Sequence, residues 1–270
     1  MTRAVAVVTG ASSGIGAEFA RALAAREYDL ILIARRKERL NKLAEELRGR
    51  HSIDAEAIPA DLARDEDVAR VVRRIAAEER LALLVNNAGF GVLGKFHQAV
   101  VEADDNMYRV HVLATARLTR AALPGLIARD RGGIINVSSV AGLACLPGHV
   151  SYASTKAWMI AFSECLHLEL RGIGSAVRIQ ALCPGYTYTE FHDVLGLDRD
   201  TIMPNRGYWM TSAFVVSRSL RALENDKWLV VPGWRYRALA FLLRNIPRSW
   251  LYPILIREAR RREQAEPSPP

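Results

Sequence analysis

The sequence predicts an α/β protein built on a doubly wound parallel sheet of about seven strands, with helices on both faces. Short apolar runs alternate with helical stretches of ten or more residues, which is typical of strands buried on both faces. The first run ends in a glycine-rich turn, and no linker-like change of composition interrupts residues 1–231. The pattern therefore predicts one domain followed by a C-terminal appendage.

Strands and helices can be placed along the chain from their hydrophobic patterns. Strands are predicted at 5–8, 30–33, 55–59, 82–85, 133–137, 177–182 and 228–231. Helices are predicted after residue 16 and at about 37–49, 65–80, 98–129, 151–172 and 211–224. Right-handed crossovers between such strands give a Rossmann-like topology. We expect a main domain over 1–233 and a basic amphipathic appendage over 234–270.

The composition indicates a globular protein of a reducing, cytoplasmic compartment. Half of the residues are apolar and 24% are charged, and no run approaches the roughly 18–20 apolar residues of a membrane-spanning helix. The chain enters a strand-like run at Val5, which leaves no room for a signal peptide. Because Cys145, Cys165 and Cys183 are odd in number and lack metal-like spacing, we expect neither a disulfide framework nor a metal site.

The net charge of +8 is concentrated near the C-terminus. Residues 234–270 contain eight arginines and three glutamates and therefore carry +5 of the total. Aromatic and aliphatic residues lie among the arginines, and Pro247 and Pro253 divide the segment into short helices. Two interpretations stay open: packing on the protein or a partner subunit, and peripheral contact with the inner face of an anionic membrane. A nucleic-acid partner is not expected, since no binding module accompanies the charge.

A glycine-rich turn after the first strand predicts a dinucleotide site. The turn runs Thr9-Gly10-Ala11-Ser12-Ser13-Gly14-Ile15-Gly16. Its three glycines permit a tight bend and a close approach of the backbone, while the following helix presents free N–H groups to a pyrophosphate. The alternative is an ordinary strand–helix connection, which a glycine turn alone does not exclude.

The end of the second strand indicates which dinucleotide is bound. An NAD site places an acidic side chain there for the ribose hydroxyls, whereas an NADP site offers cations to the 2′-phosphate. The sequence has Arg35 and Arg36 at this point and no acidic residue at 34–36. Since a guanidinium fork suits a phosphate dianion, we expect NADP(H). The alternative is a solvated helix start.

Tyr152 and Lys156 lie four residues apart in a predicted helix and therefore share one face. A phenol titrates near ~10 and a lysine near ~10.4 in isolation. An ammonium beside the phenol favours the phenolate, so the pair can make the tyrosine an acid or base near neutral pH. A surface tyrosine and lysine at helical spacing are the alternative.

Five motifs in register resemble the short-chain dehydrogenase/reductase family over roughly residues 4–231. They are the glycine turn at 9–16, Asn86-Asn87-Ala88-Gly89, Ser139, Tyr152-x-x-x-Lys156 and Pro184-Gly185. Within the family the sequence is most similar to the one-domain, tyrosine-dependent branch, near the 3-oxoacyl and hydroxysteroid reductase-like members. The family pattern also implies a homodimer or homotetramer.

The resemblance implies catalytic roles for three residues. Tyr152 would donate a proton to a carbonyl oxygen as hydride arrives from the nicotinamide. Lys156 would lower the pKa of the phenol and bind the nicotinamide ribose. Ser139 would hydrogen-bond the substrate oxygen, and Ser138 would point away from it, since side chains alternate along a strand. The expected substrate contacts are Ser139, Tyr152 and Tyr186.

The resemblance also implies the cofactor contacts. Asp61 and Leu62 would meet the adenine, and the segment after Pro184 would hold the nicotinamide carboxamide. The expected cofactor-binding residues are Gly10, Ser12, Ser13, Gly14, Ile15, Gly16, Arg35, Arg36, Asp61, Leu62, Asn87, Ala88, Gly89, Tyr152, Lys156, Pro184, Gly185, Thr187 and Thr189.

The sequence departs from the family pattern at His111. This branch usually has an asparagine there, which completes a proton relay through water to the lysine. Imidazole can also pass a proton and titrates near ~6.5. Three interpretations follow: a working relay with altered pH dependence, which we favour and which counts His111 among the catalytic residues; a slow enzyme; and a relative that binds cofactor with little turnover.

Residues 186–210 form a long segment rich in large apolar side chains. Long loops of this kind are often lids over a site, so an apolar substrate is expected: lipid-like, steroid or aromatic. Covering the core is the alternative role. The main hypothesis is an NADP(H)-dependent oxidoreductase that interconverts a carbonyl and a secondary alcohol. The second is a cofactor-binding regulatory or membrane-associated protein with little turnover.

Overall fold

The computed structural model describes residues 2–92, 94–144, 147–195, 203 and 205–265 and confirms the predicted fold class. The strands are β1 (Val5–Thr9), β2 (Asp29–Ala34), β3 (Ala55–Pro59), β4 (Leu81–Asn86), β5 (Gly133–Val137), β6 (Arg178–Leu182), β7 (Thr187–Tyr188), β8 (Met210–Thr211) and β9 (Leu229–Val230). Seven of them form one parallel sheet in the order β3-β2-β1-β4-β5-β6-β9, and β7 pairs with β8. The order reverses between β1 and β4, so their carboxyl ends open the crevice where such sheets bind ligands.

The helices cover both faces of the sheet. They are α1 (Gly14–Ala24), α2 (Lys37–His51), α3 (Asp65–Ala76), α4 (Val101–Tyr108), α5 (Thr115–Ala128), α6 (Val150–Gly172), α7 (Glu190–Val194), α8 (Ser212–Glu224), α9 (Trp234–Asn245) and α10 (Arg248–Ala265). The helix predicted over 98–129 is not uniform, because a π-helical segment at Arg109–Ala114 separates α4 from α5. Such segments occur frequently at functional sites.

Alternation along the central strands separates two hydrophobic layers. In β1, Ala6 and Val8 face the layer that contains Phe19 of α1, whereas Val5 and Val7 face the opposite layer. Strand β2 alternates in the same way. Because side chains on successive strand residues point to opposite faces, one apolar run supplies both cores. This burial on both sides explains why the strands lack the apolar–polar alternation of a half-exposed sheet.

A buried polar network joins the sheet to two helices behind the site. The Asn86 amide donates to Asn136 Oδ1 at 2.9 Å and to Thr119 Oγ1 at 3.1 Å. The Asn136 amide donates to Ser163 Oγ at 2.9 Å. Each of these side chains is buried. Since unpaired buried polar groups cost about 1–3 kcal/mol each, the network fixes β4 and β5 relative to α5 and α6.

The C-terminal segment contains one attached helix and one exposed helix. Helix α9 buries Tyr236 and Ala240, whereas Trp250, Ile254 and Ile256 of α10 are exposed. Within the described part of the chain, no helix combines the length and the apolar character needed to cross a membrane.

Candidate active site

The glycine turn at the end of β1 forms a cradle that side chains would fill. Gly10 and Gly14 have φ values of 65° and 55°, in the left-handed region that favours glycine. A Cβ on Gly16 would overlap the Gly10 carbonyl, so the turn and the start of α1 are in contact. The bare backbone and the first N–H groups of α1 fit the pyrophosphate of a dinucleotide.

Thr9 and Asn87 join the carboxyl ends of β1 and β4 beside this cradle. The Thr9 hydroxyl accepts hydrogen bonds from the backbone N–H groups of Asn87 and Ala88, each at 2.9 Å. The Asn87 amide donates to the Thr9 carbonyl at 2.9 Å and to the Gly10 carbonyl at 3.3 Å. Asn87 therefore holds the glycine turn in place.

Arg36 reaches across the glycine turn from the start of α2. Its NH2 donates to Ser13 Oγ at 2.7 Å and to Ser12 Oγ at 3.2 Å. Its NH1 pairs with Glu190 at 2.8 Å. Arg35 is exposed, and it makes no side-chain hydrogen bond or ion pair with any other described residue. Three of these predicted cofactor residues, Arg36, Ser12 and Ser13, thus come together.

Asp61 and Leu62 lie after β3, at the edge of the same crevice. The Asp61 carboxylate accepts from the Ala63 N–H at 3.1 Å, and the Asp61 N–H donates to Asp67 at 2.8 Å. Leu62 is buried. The pair is therefore fixed by a turn next to α3, in a position compatible with the predicted adenine contact.

Ser139 and Tyr152 face each other across the site. Ser139 Oγ accepts from the Ala141 N–H at 3.1 Å, and the Ser139 hydroxyl lies where a hydrogen bond to the Tyr152 phenol lowers the pKa of that phenol. Burial raises the pKa of Tyr152 to about 12, against the lowering effect of that hydrogen bond. The lowering of this pKa that the resemblance implies for Lys156 is not seen in the protein alone, where burial is the largest cause and Lys156 Nζ lies 5.7 Å from the ring centroid.

Lys156 is itself strongly affected by burial. Its Nζ donates to the Val137 carbonyl at 2.9 Å and lies 3.7 Å from Met159 Sδ. Burial lowers the pKa of Lys156 to about 7. A lysine that is half charged near neutral pH is poised to gain or lose a proton at the site.

Ser138 and Ser139 point in different directions, as expected from strand alternation. Ser138 is buried, and its hydroxyl donates to the Lys156 carbonyl at 2.7 Å. Gly142, in the turn after Ser139, lies so close to α6 that a Cβ there would be 2.6 Å from the Lys156 carbonyl carbon. The turn that carries Ser139 is therefore packed directly on the helix that carries Tyr152 and Lys156.

His111 lies fully buried in the π-helical segment and bridges two parts of the site. Its Nε2 accepts from the Phe90 N–H at 3.2 Å, so Nδ1 carries the proton and donates to Thr155 Oγ1 at 2.9 Å. Thr155 in turn donates to the Tyr152 carbonyl at 2.9 Å. Burial, and secondarily the charge of Lys156, hold the pKa of His111 well below 6.5.

The segment after β6 completes the crevice. Pro184 is buried, and its carbonyl accepts from the Val140 N–H at 3.0 Å. The Thr187 hydroxyl donates to the Gly185 carbonyl at 2.9 Å. Thr189 closes onto the glycine turn, since a Cβ on Gly14 would lie 3.0 Å from Thr189 Cγ2. The predicted cofactor residues from both halves of the chain therefore meet at one crevice.

Residues 4–200 match the family model described as short chain dehydrogenase. The chain belongs to the short-chain dehydrogenase/reductase family. Members of this family are oxidoreductases that act on CH–OH or carbonyl groups, and the family supports a nicotinamide cofactor. The bare glycine cradle and the facing Ser139, Tyr152 and Lys156 fit that group.

The named relatives and structural neighbours of this chain include reductases and dehydrogenases. The very-long-chain 3-oxoacyl-CoA reductase of Anas platyrhynchos is 33% identical over 193 residues, which are 70% of this chain and 61% of the relative. The chain thus spans about three fifths of that protein. A short-chain dehydrogenase from Sphingobium yanoikuyae in complex with NADPH has 34% identity and a TM-score of 0.81, covering 90% of this chain and 96% of the other. The bulky-bulky ketone specific alcohol dehydrogenase from Comamonas testosteroni has 28% identity and a TM-score of 0.76, covering 99% and 96%.

Aromatic side chains of the segment after β6 pack against Tyr152 and against one another. Phe191 packs against Tyr152 with ring centroids 5.8 Å apart. Trp209 packs against Tyr186 at 5.3 Å and against Tyr188 at 5.1 Å. Within the predicted apolar segment, residues 196–202 and 204, including Leu197, lie outside the described residues. The described part therefore contributes an aromatic wall of two groups, Phe191 with Tyr152 and Trp209 with Tyr186 and Tyr188.

Several residues that contact the site are not indicated by any sequence motif. Tyr236 of α9 packs on Gly185 so tightly that a Cβ on the glycine would overlap the ring, and its hydroxyl accepts from the Tyr186 N–H at 3.0 Å. Glu190 and Arg39 pair at 2.6 Å over the glycine turn. No local spacing pattern reveals these contacts, because Tyr186 and Tyr236 are 50 residues apart and Arg39 and Glu190 are 151 apart.

Proposed function

We propose that this dehydrogenase reduces bulky, apolar ketones to secondary alcohols with NADPH, and that Tyr152 supplies the proton. The facing arrangement of Ser139 and Tyr152, next to the glycine cradle, carries the proposal. When bound, NADPH supplies the hydride. Ser139 and Tyr152 donate hydrogen bonds to the substrate oxygen, and the phenol proton moves to that oxygen as negative charge develops there.

The pKa values of the site favour the reducing direction. A phenol with a pKa of about 12 is protonated at neutral pH and is therefore ready to act as an acid. Oxidation needs the phenolate as a base, which burial disfavours. Once Tyr152 gives up its proton, a charged Lys156 stabilises the phenolate, and its pKa of about 7 allows it to pass a proton onward.

We place His111 as a positioning residue for this reaction. Both of its ring nitrogens are hydrogen-bonded, one to Phe90 and one to Thr155. The neutral imidazole carries one proton, and both of its nitrogens are already engaged in hydrogen bonds, so the ring is not free to transfer a proton near pH 7. This argues against the relay role favoured from the sequence. The bridge instead holds the loop after β4 against the turn of α6 that carries Tyr152.

NADP(H) is the proposed cofactor rather than NAD(H). Hydrogen-bond donors cluster over the glycine turn, from Arg36, Ser12 and Ser13. The neighbouring Arg35 is exposed. Guanidinium groups bind a phosphate dianion through paired hydrogen bonds, and a ribose hydroxyl offers no such charge. The NADPH complex of the Sphingobium yanoikuyae neighbour supports the same choice.

The aromatic wall and the relatives support an apolar substrate. Phe191 packs on the Tyr152 ring, and Trp209 packs on the Tyr186 ring. One relative is named for 3-oxoacyl-CoA reduction and one structural neighbour for bulky ketones. Both names describe a carbonyl with large substituents, so bulky aryl ketones and long-chain 3-oxoacyl thioesters are the proposed substrate classes.

A substrate panel with NADPH and NADH side by side tests the proposal. We expect oxidation of NADPH with bulky ketones or 3-oxoacyl thioesters, and a rate with NADH at least tenfold lower. NADPH binding measured by fluorescence checks the alternative, a regulatory protein with little turnover. Binding without oxidation across the panel would support that alternative.

We also propose that the C-terminal segment contacts an anionic membrane. Trp234, Phe241 and Leu242 of α9 and Trp250 and Ile254 of α10 are exposed. The segment carries +5, so a second copy would place like charges opposite each other, whereas an anionic surface complements them. Apolar side chains among arginines are typical of helices that lie in a membrane interface.

Co-sedimentation with anionic and zwitterionic vesicles tests this contact. Full-length protein should pellet with anionic vesicles, and a chain ending at residue 245 should pellet much less. If the two chains pelleted equally, α10 would not take part in the membrane contact. Light scattering after size exclusion tests the homodimer or homotetramer implied by the family.

A further inference from the structure

An arginine–glutamate cluster lies over the glycine turn at the cofactor edge of the site. It consists of Arg36, Arg39, Glu190, Ser12 and Ser13. The Glu190 carboxylate accepts from Arg36 at 2.8 Å and from Arg39 at 2.6 and 2.9 Å. The rest of the Arg36 guanidinium is directed at the two serine hydroxyls. The Glu190 carboxylate is therefore bound by two guanidinium groups, one of which also binds two serine hydroxyls.

This donor set is suited to a phosphate monoester. Guanidinium groups and hydroxyls are the partners that phosphate oxygens take, and a phosphate offers three oxygens and about −1.5 to −2 charges. Glu190 offers two oxygens and one charge. The carboxylate thus resembles an incomplete anionic ligand for Arg36 and Arg39.

Because the cluster is partly exposed, its ion pairs can be exchanged. The side chains of Arg36, Arg39 and Glu190 are 40%, 52% and 43% exposed. Ion pairs at such positions contribute little each, since water screens them and long side chains lose freedom when they are held. A dianion can therefore replace a monovalent carboxylate there, and an uncharged ribose hydroxyl cannot.

We propose that Glu190 is a resident counter-anion that the 2′-phosphate of NADP(H) displaces, with Arg39 joining Arg36 as a phosphate ligand. The inference rests on the proposed preference for NADP(H) and names two residues that set it. On binding of NADP(H), the Glu190 carboxylate leaves both guanidinium groups, and the phosphate oxygens take its place. NAD(H) leaves the cluster closed.

The position of Glu190 connects the phosphate end to the substrate end. Thr189, which precedes it, contacts the glycine turn at Gly14. Phe191, which follows it, packs on the Tyr152 ring. Displacement of Glu190 therefore acts on the first turn of α7, between the cofactor cradle and the aromatic wall. Hydrogen bonds from Arg36 and Arg39 hold the pKa of Glu190 below its usual value, so the carboxylate stays charged at neutral pH.

Calorimetry with 2′,5′-ADP and ADP tests the proposal on the whole protein without any turnover. Glu190→Gln keeps the shape of the side chain and removes its charge. We expect the Kd for 2′,5′-ADP to fall about fivefold, the factor that corresponds to roughly 1 kcal/mol, with the Kd for ADP changing less than twofold. Arg39→Ala should raise the Kd for 2′,5′-ADP about fivefold or more and leave ADP unchanged.

Glu224→Gln is the matched control. Glu224 is the last residue of α8, and it forms a surface ion pair with Arg26 at 2.7 Å. Its side chain is 55% exposed. It should change neither Kd. If Glu190→Gln left the Kd for 2′,5′-ADP unchanged or raised it, or shifted both ligands equally, the counter-anion role would be overturned. The wild-type ratio of the two Kd values separately tests the NADP(H) preference, so a failure of that preference can be told apart from a failure of the counter-anion role.

Discussion

Burial acts in opposite directions on the two ionisable residues at the centre of the site. It raises the pKa of Tyr152 to about 12 and lowers the pKa of Lys156 to about 7. In both cases it favours the neutral form, because the charged form loses its hydration. The protein alone therefore holds a protonated phenol beside a lysine that changes charge near neutral pH.

Replacing Tyr152 with phenylalanine should separate proton donation from cofactor binding. The phenol provides the proton that a ketone oxygen needs, and loss of a general acid typically costs a factor of about 10²–10⁴ or more. We expect kcat to fall by at least about 10³ and the Kd for NADPH to stay within about twofold, measured by steady-state kinetics and fluorescence titration.

The exposed neighbour Ser154 provides the control, since Ser154→Ala changes the same turn of α6 without touching the site. It should retain wild-type kcat. If the Tyr152→Phe variant kept a tenth of the wild-type rate, Tyr152 would not be the proton donor.

Lys156 should make the stability of the protein depend on pH. Its pKa falls from 10.5 in the unfolded chain to about 7 in the fold. Between these values the unfolded chain binds more protons, so the free energy of unfolding rises with pH across this window. Below about pH 7 both states carry the proton, and the full cost of the buried charge remains, on the order of 5 kcal/mol.

Lys156→Met removes this cost, and urea unfolding without cofactor measures it. The variant should be more stable than wild type at pH 6, and the difference should shrink by pH 10. Lys227 is an exposed lysine between α8 and β9 and provides the control: Lys227→Met should show the same difference from wild type at pH 6 and pH 10. An equal difference for Lys156→Met at both pH values would contradict the buried-charge argument.

At the scale of elements, the π-helical segment holds His111 between two hydrogen-bond partners. The ring joins the Phe90 N–H after β4 to the Thr155 hydroxyl of α6. A Cβ on Gly89 would lie 2.6 Å from His111 Nε2, so the glycine is needed for this close approach. The segment thus aligns the loop that follows β4 with the catalytic helix.

His111→Asn should leave the pH profile of ketone reduction unchanged between pH 6 and 8. The pKa of His111 lies well below 6.5, so the ring is neutral over that range and adds no titration. His111→Ala should lose about 1–3 kcal/mol of stability for each buried partner left unpaired, measured by urea unfolding. A shift of the profile in His111→Asn would restore the relay role.

A double-mutant cycle separates the bridge from general packing. Thr155→Val removes the partner of Nδ1, so the loss in His111→Ala and the loss in Thr155→Val should overlap rather than add. Additive losses would mean that the two side chains stabilise the fold independently.

For the whole molecule, the sequence was sufficient for the fold class, the seven-stranded sheet and the family. Apolar runs and glycine spacing are local signals, and the motifs around Gly10, Ser139 and Tyr152 are short. The remaining contacts depend on chain segments that meet only after folding. Asn86 with Asn136 and Gly185 with Tyr236 are such contacts. The raised pKa of Tyr152 was also not predicted, because the spacing of residues in the sequence does not show how deeply a side chain is buried.

Two truncations test where the main domain ends. The boundary predicted at 233 would separate Tyr236 from the body, yet this side chain is 4% exposed and its hydroxyl bonds the Tyr186 N–H and the Tyr208 carbonyl. Removing it would leave those groups unpaired and Gly185 without its packed partner.

A chain of residues 1–245 should therefore keep the wild-type melting temperature and NADPH-dependent reduction of soluble ketones. A chain of residues 1–233 should melt at least about 4 °C lower, as loss of roughly 1 kcal/mol or more predicts, and should bind ketones more weakly. Tyr236→Leu in the full chain is the companion variant, because it keeps the helix and removes only the hydroxyl contacts and the ring. If residues 1–233 matched the longer chain in melting temperature and KM, α9 would be an appendage after all, and the substrate side of the site would end with α8 and β9.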